Sequence, residues 1–470
     1  MIKGKQILKV FVLFAVVLLL PEVSLSQALA QADSGREEHS GCKVMTLRDC
    51  MAYAVENSAK MKIARTDLSD AVLERRDAIL RAFTPSVSAS TYGYYNWGRS
   101  VDPETNTYSN IKSFHNGYSL SAGINLFDGF QAVNNMSIAK TSILMGISRQ
   151  QQTEDEVCLA TMEAWSNVIY YNQLSKIFLD QVSAAEVALS KARKEEQLGR
   201  KAYADVVQME AELSDKQFQS LQANGKAEDA MLTLKSLMLW PLDEPLILDK
   251  DELSGLLARE YNTEISGQGI VAYAVEHNPQ VIIAEGNVRI ARKNLSSARW
   301  SLAPSVNLSG GWSTTYFTYP GRAGYTATPF REQLKNNRGE YLQLSLSIPI
   351  YNRLQGLSSI RKRKNALDKA VADRDQKMTE LAAEVRRAVQ DRNNSLSSLN
   401  LALKREQVQQ EAYKLNVKKF EQGMISAIEY QTAINSNLQA QADRLQAQLM
   451  FMIKDRVLNY YKGQSYLSQR

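Results

Sequence analysis

The chain has 470 residues, 44% of them hydrophobic and 23% charged, with a formal net charge of +6 and a mean hydropathy of -0.32. That describes a folded chain, long enough for one large domain or a few ordinary ones, and too polar for a bundle of membrane-spanning helices. Only 10 Pro and 23 Gly interrupt it, which leaves room for very long helices.

Residues 1–30 read as a secretory signal peptide. Lys3, Lys5 and Lys9 precede an apolar run from Val10 to Leu20, and Ala28-Leu29-Ala30 supplies a small-x-small cleavage pattern. The run falls short of the ~20 residues a spanning helix needs. Part of the positive charge belongs to this leader, so the basic balance says little for a nucleic-acid partner. Residues 31–45 form a polar linker. Cys42, Cys50 and Cys158 do not make a disulfide framework; Cys42 and Cys50 could pair or stay free. His39, His115 and His277 lie far apart, without metal-ligand spacing. No G-x-S-x-G or HExxH motif occurs, and Gly225-Lys226-Ala227 lacks the rest of a phosphate loop. Neither an enzyme nor a cofactor is expected.

An internal duplication organises the remainder. Ala52-Tyr53-Ala54-Val55-Glu56 recurs as Ala272-Tyr273-Ala274-Val275-Glu276, and Pro85-Ser86-Val87 as Pro304-Ser305-Val306. Leu126-Phe127-Asp128 is echoed by Ile350-Tyr351-Asn352, and Gly199 with Asp205 by Gly423 with Glu429. A first repeat therefore spans residues 46–248 and a second 249–470. Each reads as helix, two strands, long helix, shorter helix.

In the first repeat, a helix from Thr46 to Ala82 ends at Pro85, where a strand begins. The next strand alternates Tyr118, Leu120, Ala122, Ile124 and Leu126 with polar or small residues. Phe130 to Leu198 contains no proline, and Gly146 is its one interior glycine. At 1.5 Å per residue such a run extends ~100 Å, more than an ordinary globular core covers. A shorter helix, Val206 to Leu239, returns. The second repeat has the same plan: a helix from Ile270 to Leu302, a strand after Pro304, and an alternating strand through Leu342, Leu344, Leu346, Ile348 and Ile350. A long run, Leu357 to Gln422, and a return helix, Ile425 to Tyr460, complete it. Ile360, Leu367, Val371, Met378, Ala382, Val385, Val389 and Leu396 are spaced as a coiled-coil seam.

The fold class is thus mainly α with a small membrane β part. Four strands cannot span lipid alone, because their edges would leave backbone groups unpaired; the edges must meet other subunits. Two copies give eight strands with a filled interior, and three give twelve with a lumen. Physics alone does not choose the number.

The element order, the duplication and these phrases resemble the TolC family of outer-membrane efflux proteins over roughly residues 46 to 462. The resemblance implies a homotrimer with a twelve-strand β-barrel in outer-membrane lipid. A twelve-helix coiled-coil tunnel (α-barrel) would continue it through the periplasm of a Gram-negative type envelope. It further implies a passive duct working with a periplasmic adaptor protein and an inner-membrane pump, as an efflux or export channel. A dedicated type I protein-secretion exit is the alternative within the family, and a secreted coiled-coil adhesive protein the alternative outside it. The loops Gly98 to Ser113 and Pro320 to Arg338, carrying Arg99, Asp102, Arg322 and Arg331, are expected to face outward. Tyr92, Tyr94, Tyr95, Trp97, Trp312, Tyr316, Phe317 and Tyr319 are expected in interface belts.

By the same resemblance, the turns at Gly199 to Ala202 and Gly423 to Ser426 are the periplasmic tip that docks the adaptor. Asp205 and Glu429 are expected to ring the lumen, with Phe420 at the gate. An acid in the first turn of a helix also has a plain capping role. Positions where some members carry an arginine and a second acid are Ile425 and Thr432 here, so a weaker charge filter is expected.

Overall fold

A computed structural model describes residues 44–101, 106–249, 265–267, 269–321 and 325–469. The signal peptide, most of the linker, His39, Cys42, Asp102 and Arg322 lie outside these residues. In chain order the elements are β1 (Val44–Met45), α1 (Leu47–Asn57), α2 (Ala59–Phe83), β2 (Ser86–Val101), β3 (Tyr108–Phe127), α3 (Gln131–Gln197) and α4 (Tyr203–Met238). Next come β4 (Ile247–Leu248), α5 (Ile270–His277), α6 (Pro279–Trp300), β5 (Ser305–Thr318), α7 (Phe330–Asn336), β6 (Gly339–Ser347), α8 (Gln355–Glu421) and α9 (Ala427–Tyr461).

The long runs are unbroken: α3 and α8 have 67 residues each, or ~100 Å. Two shorter helices lie along each of them, α2 and α4 on α3, α6 and α9 on α8. Along α8, Val385, Val389 and Leu396 are buried as the seam requires, with Leu381 added. Its earlier seam positions, Ile360, Leu367, Val371 and Met378, are only half-buried in the single chain. On α2, Ile63, Val72 and Leu73 are exposed. These apolar stripes need a surface beyond the protomer to cover them.

Two expected helices are each broken in two, at duplicated positions. Ser58 closes α1 and opens α2 with ψ 144°, its hydroxyl accepting from the Met61 amide at 3.3 Å. Asn278 does the same between α5 and α6 with ψ 134°, and Pro279 takes the first helical position, where its missing N–H costs nothing. The echo of Asp128 in Asn352 also has a structural cause. Each strand-to-long-helix junction carries two successive left-handed residues, Gly129 and Phe130 in one copy, Arg353 and Leu354 in the other. The Asp128 carboxylate accepts from the Ala132 amide at 2.8 Å and the Asn352 side chain from the Gly356 amide at 3.2 Å. Both satisfy first-turn donors that would otherwise be orphaned.

Among the described residues the large sheet has the order β2-β3-β5-β6, antiparallel throughout. The expected strand to Ile350 stops at Ser347, because Pro349 has no N–H for a ladder. A second, two-stranded sheet pairs β1 with β4 in parallel, so the last residues of the expected linker are a strand that joins the start of one repeat to its end.

That small sheet covers the main core. Trp165, Met162 and Val168 of α3 meet Leu47 and Met51 of α1, Leu234 and Met238 of α4, and Leu449 and Met452 of α9. Cys50 and Cys158 are buried in the same cluster, and burial pushes the Cys158 thiol up to about 12, which makes it inert.

Candidate functional site

The register of the sheet divides its side chains into two unlike faces. On one lie Val87, Ala89, Leu120, Ala122, Leu308, Leu342, Leu344 and Leu346. Most are bare in the single chain, Leu342 at 73% and Leu344 at 66% exposure, while Ala122 and Leu308 are half-buried. On the other face lie Ser88, Ser90, Ser119, Ser121, Asn125, Asn307, Ser309 and Gln343. They bond one another across strands: Ser88 to Ser121 at 2.9 Å, Ser90 to Ser119 at 2.7 Å, and Asn307 Nδ2 donating to Asn125 Oδ1 at 2.8 Å. The apolar face carries charge only toward one end, as at Lys112 opposite Trp97 and Glu340 opposite Trp312. An apolar face backed by a neutral polar face is what a wall between lipid and water requires.

This division corrects the expected aromatic belts. Tyr95, Trp97, Trp312 and Tyr316 share the apolar face, whereas Tyr92, Tyr94 and Phe317 stand on the polar one. There Tyr94 stacks on His115 at 5.0 Å. Tyr319 is buried just past the end of β5, against Phe317 and Tyr325. Sequence reasoning pooled these residues because it had no register.

The described residues of the expected outward loops include strand and helix. The β2–β3 ladder continues to Val101 opposite Tyr108. The Arg99 guanidinium lies 5.4 Å from the Tyr108 ring. The second segment contains α7, which serves the β5 edge where β6 has ended. The buried Gln333 side chain accepts from the Phe317 amide at 3.0 Å and donates to its carbonyl at 2.9 Å. Asn337 donates to the Thr315 carbonyl at 2.8 Å. Side chains thus stand in for a missing strand.

At the far end of the long helices the two hairpin tips are built alike. Gly199 and Gly423 have φ of 70° and 71°. The Arg200 and Met424 amides reach back to the Glu195 and Lys419 carbonyls, both at 2.8 Å. These are left-handed helix ends of the kind glycine favours. A Cβ at either glycine would meet nothing within 4 Å, so the backbone twist, not crowding, selects glycine there.

The return helices start differently. Ser426 and Glu429 form a reciprocal capping box: the Ser426 amide donates to the Glu429 carboxylate at 2.8 Å, and the Glu429 amide to the Ser426 hydroxyl at 3.2 Å. Ala202 has no side chain to offer, and Asp205 makes no such box. Glu429 is exposed and Asp205 half-buried. Phe420 is half-buried, stacked on Tyr430 at 4.4 Å with Lys201 5.1 Å over its ring. It packs on the first-repeat cluster of Leu189, Ala192, Val206 and Met209, so within one chain it joins the two tips.

Two features of the tips were missed. Leu198, Tyr203, Met424 and Ile428 are large, apolar and exposed there. Deeper in, Lys216 is 2% exposed and donates to Asn435 Oδ1 at 2.7 Å, linking α4 to α9. Beside it, burial raises the Glu212 carboxyl. A signal for Lys216 existed: with Val206, Met209, Leu213, Ala223 and Ala227 it occupies seam spacing, where a charge must find a partner.

A sheet with one bare apolar and one neutral polar face, carried on ~100 Å helices, defines the class: a protomer of a membrane channel with a long helical stalk. A family model for outer membrane efflux proteins matches residues 53–238 and 271–455, and the chain belongs to that family of outer-membrane channel proteins. The two matched segments fall one in each half, as the duplication requires. No curated protein matches in sequence. Among solved structures the chain is similar to the Campylobacter jejuni CmeC outer membrane channel, at TM-score 0.70 and 15% identity over 87% of this chain and 84% of that one. The Vibrio cholerae outer membrane protein VceC gives TM-score 0.70 and 12% identity over 89% and 96%. The Neisseria gonorrhoeae MtrE outer membrane channel gives 0.68 and 15% over 90% and 88%. At such identities the likeness is one of fold. The family assignment replaces the alternative of a secreted coiled-coil adhesive protein.

Proposed function

We propose that the chain, exported by its signal peptide and built of the two repeats 46–248 and 249–470, forms a homotrimer that works as the outer-membrane duct of a tripartite efflux system. The observation that carries this reading is the four-stranded sheet with two faces and two lateral edges. Closing those edges against further copies removes the unpaired backbone groups that lipid forbids. Three copies give twelve strands and an open lumen lined by the serine-rich face. A periplasmic adaptor, itself joined to an inner-membrane pump, would dock on the tips at Gly199, Ala202, Gly423 and Ser426. The exposed Leu198, Tyr203, Met424 and Ile428 would supply the buried anchors of that contact. Outer-membrane fractionation with a heat-modifiable trimer is the expected result; a water-soluble monomer without affinity for detergent sinks the proposal. Bulky replacement of Gly423 strains the left-handed turn and fills the open space beyond it, and is expected to abolish export while trimers persist, since the turn lies far from the sheet. Unchanged export would count against docking there.

Within this duct Asp205 and Glu429 would ring the periplasmic mouth, and Phe420, joining the two tips, would set how far they part. Glu429→Gln is an informative change, because glutamine keeps the capping box while removing the charge. Expected is a clear drop in cation preference in planar-bilayer conductance, with thermal stability within about 0.5 kcal/mol of the parent. Unaltered selectivity removes Glu429 from the ring.

A further inference from the structure

Both repeats end their last helix with a left-handed turn, but the residue just past that turn is different in each. In the first repeat Leu239 takes φ 54° and the Trp240 amide donates to the Lys235 carbonyl at 2.9 Å. In the second, Gly463 takes φ 94° and the Gln464 amide donates to the Asn459 carbonyl at 3.1 Å. Trp240 and Gln464 therefore hold the same position of the same turn. Trp240 packs its indole on Tyr53 at 5.0 Å. Tyr273 is the duplicate of Tyr53, but Gln464 brings no ring to it. Tyr273 instead stacks on His277 at 4.3 Å and 12°, and lies so close over Gly463 that a Cβ there would come within 2.4 Å of its hydroxyl. Space that an indole occupies in one repeat is left open in the other. An open cleft of about 300 Å³ lies there, lined by Asp155, Tyr273, His277, Tyr460 and Gln464 among others.

The chemistry of the lining is specific. Asp155 Oδ2 is buried without a hydrogen-bond partner, and the Tyr460 side chain lies beside the same carboxyl. Burial lifts Asp155 to about 6, so near neutral pH the group is mostly ionised and poorly solvated. His277 donates from Nδ1 to the Tyr273 carbonyl at 3.0 Å, which holds its ring flat against Tyr273. A desolvated carboxylate beside aromatic rings favours a cation that is itself weakly hydrated. A hard metal ion calls for several oxygen ligands, and no group of three His, Cys, Asp or Glu converges among the described residues.

We propose that this cleft binds a small organic ammonium ion, with Asp155 as counter-ion and Tyr273, His277 and Tyr460 as its aromatic walls. The site is separate from the sheet and the tips and does not depend on the channel reading. Titration calorimetry on the full-length protein in detergent tests it with choline and with its uncharged isostere 3,3-dimethyl-1-butanol. Choline is expected to bind at least about tenfold tighter than the alcohol, a difference of ~1.4 kcal/mol. Asp155→Asn is expected to remove that preference. Gln464→Trp copies the first repeat's arrangement on an unchanged backbone turn; it should abolish binding while single-channel conductance stays at the parent value. Absence of choline binding, equal affinity for the alcohol, preference for magnesium ion over choline, or full binding in Gln464→Trp would each overturn the proposal.

Discussion

Arg392→Met is expected to lower the stability of the folded protein by about 3 kcal/mol, among the largest effects of any single polar replacement in the helical part. Arg392 on α8 is 4% exposed and donates from Nε to Asp455 of α9 at 3.0 Å. Its guanidinium also lies 5.3 Å from the Phe451 ring. Asp455 keeps only a hydrogen bond from Asn459, at 3.2 Å, once the arginine is gone. A carboxylate 18% exposed is then left largely desolvated without its counter-ion. The pair itself contributes far less than its removal costs, because bringing both charges out of water offsets most of their attraction. The double change Arg392→Met with Asp455→Leu should therefore recover most of the loss. Urea titration of the four proteins of this cycle reads the coupling directly. If the single and double variants melt alike, the interaction is not the source of the effect. Exposed pairs on the same helices, such as Lys377 with Glu380, should matter far less, because water screens them.

Features set by forces between chain neighbours were legible in the sequence, and features set across space were not. The long helices were legible because absence of proline and a seven-residue apolar rhythm are properties of neighbours along the chain. Helix ends at Pro85 and Pro304 were legible for the same reason. Breaks at Ser58 and Asn278 were not inferred, although Pro279 marks one of them, because a single reversed ψ leaves the apolar pattern intact on both sides. The belts were misassigned because parity along one strand cannot say which face of a neighbour it matches; hydrogen-bond register decides that. Trp240 and Gln464 illustrate a further limit. They stand at the same offset in the two repeats as Gly199 and Gly423, so their equivalence was open to view; what the sequence does not carry is that one side chain packs on a tyrosine and the other leaves that tyrosine to a histidine.

Leu344→Arg is expected to prevent recovery of the trimer from the outer membrane, whereas Gln343→Arg, one residue away, is expected to assemble. Leu344 lies opposite Leu308 on the bare apolar face, and Gln343 opposite Ser309 on the polar one. If lipid covers the first face, an arginine there costs about 2–4 kcal/mol near the bilayer midplane and less toward the interfaces. Threefold symmetry repeats that cost in every subunit. If water fills the space before the second face, a guanidinium at residue 343 stays hydrated. Its three copies should then turn the pore toward anions in bilayer recordings. The two substitutions introduce the same residue type into the same strand, so propensity and unfolded-state effects largely cancel between them. Only the side of the sheet differs. Equal tolerance of both changes, or failure of Gln343→Arg alone, would mean that the serine-rich face does not look into the duct.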